Sequence, residues 1–189
     1  MNKPCFPRRG ALACAALSLA FASACVGPGA EDDAPEGRAD PVISTARLVE
    51  LRSYWNASLG DNALSSDPNF GGGYAFVRSE GWIFRPDAAQ PSGTVGLYTW
   101  YSEARGDFFT TSLPYWAATT PGTVRDGYVF KRVEGYVFAQ PVAGTAPLQL
   151  WWSPSRADNF SSTDPAWGAS SPATRSPDYG FAGTLGHVV

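Results

Sequence analysis

The chain has 189 residues, of which 44% are hydrophobic, 16% charged and 14% aromatic, with 20 glycines, 16 prolines and a formal net charge of −3. About a quarter of an ordinary soluble chain is charged, so this one is charge-poor and rich in turn formers. One folded domain is the expectation at this length, and the acidic balance argues against nucleic acid as a partner.

The three cysteines, Cys5, Cys14 and Cys25, all fall in the first 25 residues. Lys3, Arg8 and Arg9 precede an apolar run from Ala11 to Ala22, and Ala22-Ser23-Ala24 supplies a small-residue cleavage site. Residues 1–24 therefore read as a secretory signal peptide. A membrane-spanning helix would need about 20 apolar residues, and no stretch reaches that. Ala22-Ser23-Ala24-Cys25 resembles a bacterial lipobox, although Ala22 stands where leucine is usual. The resemblance implies acylation of Cys25 and a membrane anchor. Plain secretion is the alternative, because an ordinary signal peptidase would cut the same bond.

Removal of residues 1–24 leaves 11 basic and 17 acidic residues, a net charge of −6, with Lys131 the one remaining lysine. Residues 25–46 hold Glu31-Asp32-Asp33 and Glu36 among Gly, Pro and Ala, with no aromatic. They read as a flexible acidic tether.

The remainder, residues 47–189, contains three copies of one unit. Leu51-Arg52-Ser53-Tyr54-Trp55 aligns with Leu97-Tyr98-Thr99-Trp100-Tyr101 and Leu148-Gln149-Leu150-Trp151-Trp152. Each is followed by an aspartate (Asp61, Asp107, Asp158), by hydroxyl residues, and by Pro68, Pro114 or Pro165 with Phe70, Trp116 or Trp167 two places on. A second block aligns Tyr74, Tyr128 and Tyr179, each with a glycine downstream (Gly81, Gly135, Gly186). The copies span about 47–92, 93–143 and 144–189, the first shortened between Pro68 and Tyr74.

Within each copy, Val95 to Tyr101 and Tyr128 to Phe138 alternate apolar and polar residues and favour aromatic and β-branched types, which predicts strands. Leu59-Gly60-Asp61 and Arg105-Gly106-Asp107 predict hairpin turns. Pro114 to Gly127 is too rich in Pro and Thr to predict a helix. About four short strands per copy predict an all-β, pseudo-threefold β-trefoil-like fold. A small three-bladed propeller-like ring is the alternative, disfavoured because propellers typically have four or more blades.

Repeat two carries a further resemblance. Gly106-Asp107-Phe108-Phe109-Thr110-Thr111, then Gly127-Tyr128-Val129-Phe130 and Glu134-Gly135-Tyr136-Val137-Phe138, resemble a bacterial repeat family carried as a domain of unknown function. That resemblance implies a secreted or cell-surface module, of the kind often appended to hydrolases. The family commonly has histidine directly after the aspartate, where this chain has Asn62, Phe108 and Asn159. A role for that histidine does not carry over.

The inventory for catalysis is thin. His187 is the one histidine, in the register of Trp82 and Tyr136, and reads as a half-buried strand residue. Glu80 and Glu134 are conceivable as a glycosidase pair, but their repeat equivalence suggests scaffold. Arg78 with Glu80 and Arg132 with Glu134 read as surface ion pairs. We therefore expect no catalytic residues, no metal site and no cofactor. Binding rests on aromatic supply: 24 aromatics lie after residue 46. Trp55, Tyr101 and Trp152, followed by Asp61, Asp107 and Asp158, are the candidate ligand residues, since flat rings beside carboxylates suit sugars. The competing reading makes the rings a core layer and the aspartates turn caps. Two functions stay open: an exported, lectin-like carbohydrate-binding module of a bacterial envelope, or a protein-interaction or structural module there, with a glycan or another envelope protein as the respective partner.

Overall fold

The computed structural model describes residues 45–168, 174–175 and 178–189. The chain divides between Asp40 and Pro41 into two units, and all described residues lie in the second. The signal peptide, Cys25 and most of the acidic tether lie outside the described residues. Among the described residues no helix is long and apolar enough to cross a membrane.

The described fold is all-β and its main strands pair antiparallel. Unit one contributes β1 (Leu48–Asn56), β2 (Asp61–Ser65) and β3 (Ala75–Phe84). Unit two contributes β4 (Thr94–Ser102), β5 (Asp107–Thr111), the two-residue β6 (Val124–Arg125) and β7 (Tyr128–Phe138). Unit three repeats this with β8 (Ala146–Ser153), β9 (Asp158–Ser162), β10 (Thr174–Arg175) and β11 (Tyr179–Val188). Each unit is thus three principal strands, with a short fourth only in units two and three. The missing fourth strand of unit one falls where its sequence is shortened. Single 3-10 turns at Pro114–Trp116 and Pro165–Trp167 start on proline, whose fixed φ suits a first helical position.

In every unit the first strand is central. β1 pairs with β2 through a hairpin and with β3 on its other edge; β4 does so with β5 and β7, and β8 with β9 and β11. The hairpin turns need a left-handed residue, supplied by Gly60 (φ 71°), Gly106 (φ 66°) and, in unit three, Ala157 (φ 51°). The three long strands meet at their ends. Phe84 pairs with Tyr136 and Phe138 with His187, while Trp82 and Val189 exchange two backbone hydrogen bonds of 2.9 Å.

Sequence explains that meeting. Gly81, Gly135 and Gly186 occupy the crossing with φ of 122°, 155° and 148°. A Cβ on Gly186 would lie 2.4 Å from Val137 Cγ2, and one on Gly135 2.5 Å from Phe84 O. Only glycine lets the strands approach so closely. Just before each glycine the register slips, between Leu51 and Arg52, Leu97 and Tyr98, and Thr184 and Gly186. The extra residue of each bulge is Glu80, Glu134 or Leu185, and a bulge re-aims its side chain.

The core repeats as well. Leu51, Leu97 and Leu148 are fully buried, with Ile83, Val137 and Val188 beside them. On the first strand of each unit the buried ring is Tyr54, Trp100 or Trp151, one place before the column expected to line ligand pockets. Trp55, Tyr101 and Trp152 are only half-buried, because alternation along a strand sends neighbouring side chains to opposite faces.

Candidate functional site

The second hairpin strands β2, β5 and β9 contact one another, which brings Asp61, Asp107 and Asp158 together. Each offers an oxygen within 4.8 Å of the other two, and all are 1–2% exposed. They are therefore not the exposed turn caps of the simpler expectation. Each accepts a hydrogen bond from the tyrosine of its own unit: Tyr74 to Asp61, Tyr128 to Asp107, Tyr179 to Asp158. Each also accepts from the backbone of the next unit around the ring. Phe108 N donates to Asp61 at 3.2 Å, Asn159 N to Asp107 at 3.0 Å, and Asn62 N to Asp158 at 3.2 Å.

The ring is closed but unequal. Asn159 Nδ2 adds a bond to Asp107 (2.9 Å) and Asn62 Nδ2 one to Asp158 (2.8 Å), while Phe108 has no amide to offer Asp61. Burial pushes Asp61 up to about 8 from an ordinary 3.8, opposed by the Tyr74 bond and helped by the neighbouring carboxylates. Burial likewise raises Asp107, against the bonds from Tyr128 and Asn159. Tyr74, Tyr128 and Tyr179 are raised by burial and by donating to an acid. Oxygens at this spacing suit a divalent cation, but here they are occupied by tyrosine and backbone donors. The cluster is an internal joint between units, held by hydrogen bonds from tyrosine, asparagine and backbone donors.

A second joint uses the bulge residues. Glu134, fully buried, accepts from Ser66 N (2.7 Å) and Ser66 Oγ (2.7 Å) of unit one and from Arg132 Nε (2.8 Å). Glu80 accepts from Thr163 N (2.7 Å) and Thr163 Oγ1 (2.8 Å) of unit three. Arg78 reaches Asp164 at 2.7 Å and Arg132 reaches Asp67 at 3.4 Å. Both ion pairs expected from sequence form, Arg78–Glu80 at 3.6 Å and Arg132–Glu134 at 2.8 Å, but they are not surface pairs, because both glutamates are buried and clasp a neighbouring unit. Leu185 takes this place in unit three, so that clasp is apolar. His187 lies half-buried on β11 opposite Pro147 and Phe138.

The candidate aromatic column lies at the three unit boundaries, and these differ. Between units two and three, Trp152 and Asn159 face Arg105, Phe109, Trp116 and Tyr128 across an open cleft of about 190 Å³. The Arg105 guanidinium sits 5.3 Å from the Tyr128 ring centre and donates to its hydroxyl at 3.2 Å. No carboxylate among the described residues pairs with it.

At the boundary of units three and one the repeat-equivalent residues are Trp55, Asn62, Arg156, Phe160, Trp167 and Tyr179, and Asn62 Nδ2 donates to the Tyr179 hydroxyl at 3.3 Å. Here Arg156 lies 5.1 Å over Trp55, donates to Gly60 O at 2.9 Å and stands 3.9 Å from Asp158. At the boundary of units one and two, Leu59 replaces the arginine. Phe108 packs against Phe70 (5.3 Å), Tyr74 (5.5 Å) and Tyr101 (4.6 Å). One boundary is open, one is covered by its own arginine and one is filled by aromatics.

The candidate residues thus divide. Trp152 lines the open cleft, Trp55 and Tyr101 lie at the other two boundaries, and the three aspartates form the axial joint. Arg105, Phe109, Trp116, Tyr128 and Asn159 were missed from sequence. The repeat register held the signal: Leu59, Arg105 and Arg156 occupy one column and Asn62, Phe108 and Asn159 another. Comparison with known proteins adds no relative, since no family model, no curated protein and no solved structure matches this chain.

Proposed function

We propose that the domain is a non-catalytic carbohydrate-binding module, and that its site is the cleft between units two and three. The cleft itself supports this reading: two indoles, a phenol and a phenyl ring line it together with a guanidinium and an amide. A pyranose has an apolar face that stacks on aromatic rings and hydroxyl edges that need polar partners. The cleft is smaller than the ~300–1,000 Å³ typical of drug-sized ligands, which fits one sugar ring held at the end or branch of a longer chain.

The leader and Cys25 support a setting on a bacterial envelope, with the module anchored by acylation or released. The likeness of unit two to a secreted repeat family agrees with that setting. For the closure of the fold we favour a small three-bladed ring. The second strands approach one another around the axis, and ladder pairing between units occurs only at the ends of the long strands. A trefoil barrel would carry pairing along whole strands from unit to unit.

The test is binding to an array of bacterial and plant polysaccharides. Loss of binding in Trp152→Ala, with near-ultraviolet circular dichroism unchanged, is the expected result. A folded protein with no glycan signal refutes the reading and leaves the protein-interaction alternative.

A further inference from the structure

We propose that the cleft between units two and three selects an acidic sugar, a pyranose bearing a carboxylate, with Arg105 as the residue that recognises the charge. This rests on the carbohydrate reading above and specifies its ligand class.

Consider how each arginine near the axis is used. Arg78 faces Asp164 at 2.7 Å and Arg132 faces Glu134 at 2.8 Å. Arg156, in the same repeat position as Arg105, is tied to Gly60 O and to Asp158 and covers its own boundary. Arg105 alone in this column opens onto a cleft. Its side chain makes one hydrogen bond, to a neutral phenol, while a guanidinium has five N–H donors in a planar fork. The remaining donors suit two parallel bonds to a carboxylate.

The surroundings hold Arg105 ready for that use. Its stacking on Tyr128 fixes the plane of the guanidinium. Tyr128 is fixed in turn, because its hydroxyl donates to Asp107 while accepting from Arg105. Asp107 and the neighbouring Asp61 and Asp158 are buried at 1–2% exposure and held by their own donors, and Glu103 lies on the exposed turn before Arg105. Asn159 uses Nδ2 on Asp107, and its Oδ1 accepts no hydrogen bond among the described residues, leaving an acceptor for a sugar hydroxyl. Trp116 and Trp152 supply the flat walls. A neutral sugar would use the walls and the amide but leave the guanidinium to water.

The experiment is calorimetric titration of the intact protein with three matched probes: an oligogalacturonate, its methyl ester and the neutral oligogalactose. Glucuronate and mannuronate oligomers extend the acidic set. We expect at least one acidic oligomer to bind about tenfold more tightly than its uncharged counterpart, the gain of one charge-assisted contact. That preference should shrink as salt is raised. Arg105→Gln should erase the preference while leaving the weaker neutral binding, and Trp152→Ala should abolish both.

Equal binding of acid, ester and neutral oligomer overturns the acid selectivity and leaves the carbohydrate reading standing. So does an acid preference that survives in Arg105→Gln, which assigns it to another residue. Absence of binding by every probe and every array glycan, from protein with native circular dichroism, overturns both.

Discussion

Burial of Asp61 and Asp107 makes stability fall as pH rises, and Asp61 sets the scale. In the folded protein its carboxyl keeps its proton up to about pH 8, whereas the ordinary value is 3.8. Between these values the folded state holds a proton that the unfolded chain has released. This contribution to stability is therefore complete below about pH 4 and is lost progressively as pH climbs through about 8. The full shift would amount to about 6 kcal/mol at about 1.4 kcal/mol per unit. Hydrogen bonds from Tyr74 and Phe108 N remain available to the ionised form and offset part of that cost. We therefore expect a loss of about 3 kcal/mol from about pH 5 to pH 8, with a slope no steeper than ~1.4 kcal/mol per pH unit for one proton.

Glu50, Asp87 and Asp178 are lowered by hydrogen bonds to Ser79 and Arg52, to Arg85, and to Ser153. Their opposite contribution acts below their ordinary values, outside this window. Urea denaturation across the same pH range measures the slope. Asp61→Asn keeps an acceptor for Tyr74 and removes the charge, so it should flatten the slope and exceed the wild type in stability at the alkaline end. Phe108→Asn should also flatten it, by giving Asp61 the amide donor that Asp107 and Asp158 already have. A wild-type stability that is level or rising across this range, or a slope unaltered in Asp61→Asn, would refute the assignment of that proton to buried Asp61.

The remaining expectations concern scaffold positions. Ala157→Gly should stabilise by ~1 kcal/mol, since Ala157 holds a left-handed conformation that Gly60 and Gly106 adopt freely; a lowered melting temperature would contradict this. Gly186→Ala should cost several kcal/mol because its Cβ would meet Val137 at 2.4 Å, whereas Gly93→Ala, with φ 79° and open space around it, should cost only about 1 kcal/mol. Equal losses in the two variants would mean that strand crossing is not the constraint. Glu134→Ala should cost ~2 kcal/mol by leaving the Ser66 donors without their acceptor, while Arg132 keeps Asp67, read from the shift in denaturation midpoint. A change under about 0.5 kcal/mol, the size of an ordinary surface substitution, would show that the clasp contributes nothing.

Much of the fold was legible in sequence because repetition multiplies a weak signal. One run of alternating residues is ambiguous, but Leu51, Leu97 and Leu148 with their following aspartates and glycines define three equivalent units and their strands. The Gly-Asp turns carried the hairpins, since a left-handed residue is a local requirement. What pairs with what between units was not legible. Glu80 and Glu134 look the same in sequence whether they face solvent or the next unit, and a bulge one residue before a glycine decides which. The aspartates resemble turn caps until three hairpins converge on one axis.

The candidate site was only half visible, for the same reason. Sequence left Trp55, Tyr101 and Trp152 between a ligand face and a core layer, and the folded strands place them half-buried, one position off the core rings. The three copies are equivalent in sequence register and unequal in space, because each boundary joins residues of two different copies. Leu59 beside Gly106, Arg156 over Trp55, and Arg105 across the cleft from Trp152 are pairings between units. A linear sequence determines the residues each unit brings to its boundary; only the tertiary structure decides that one of three boundaries stays open.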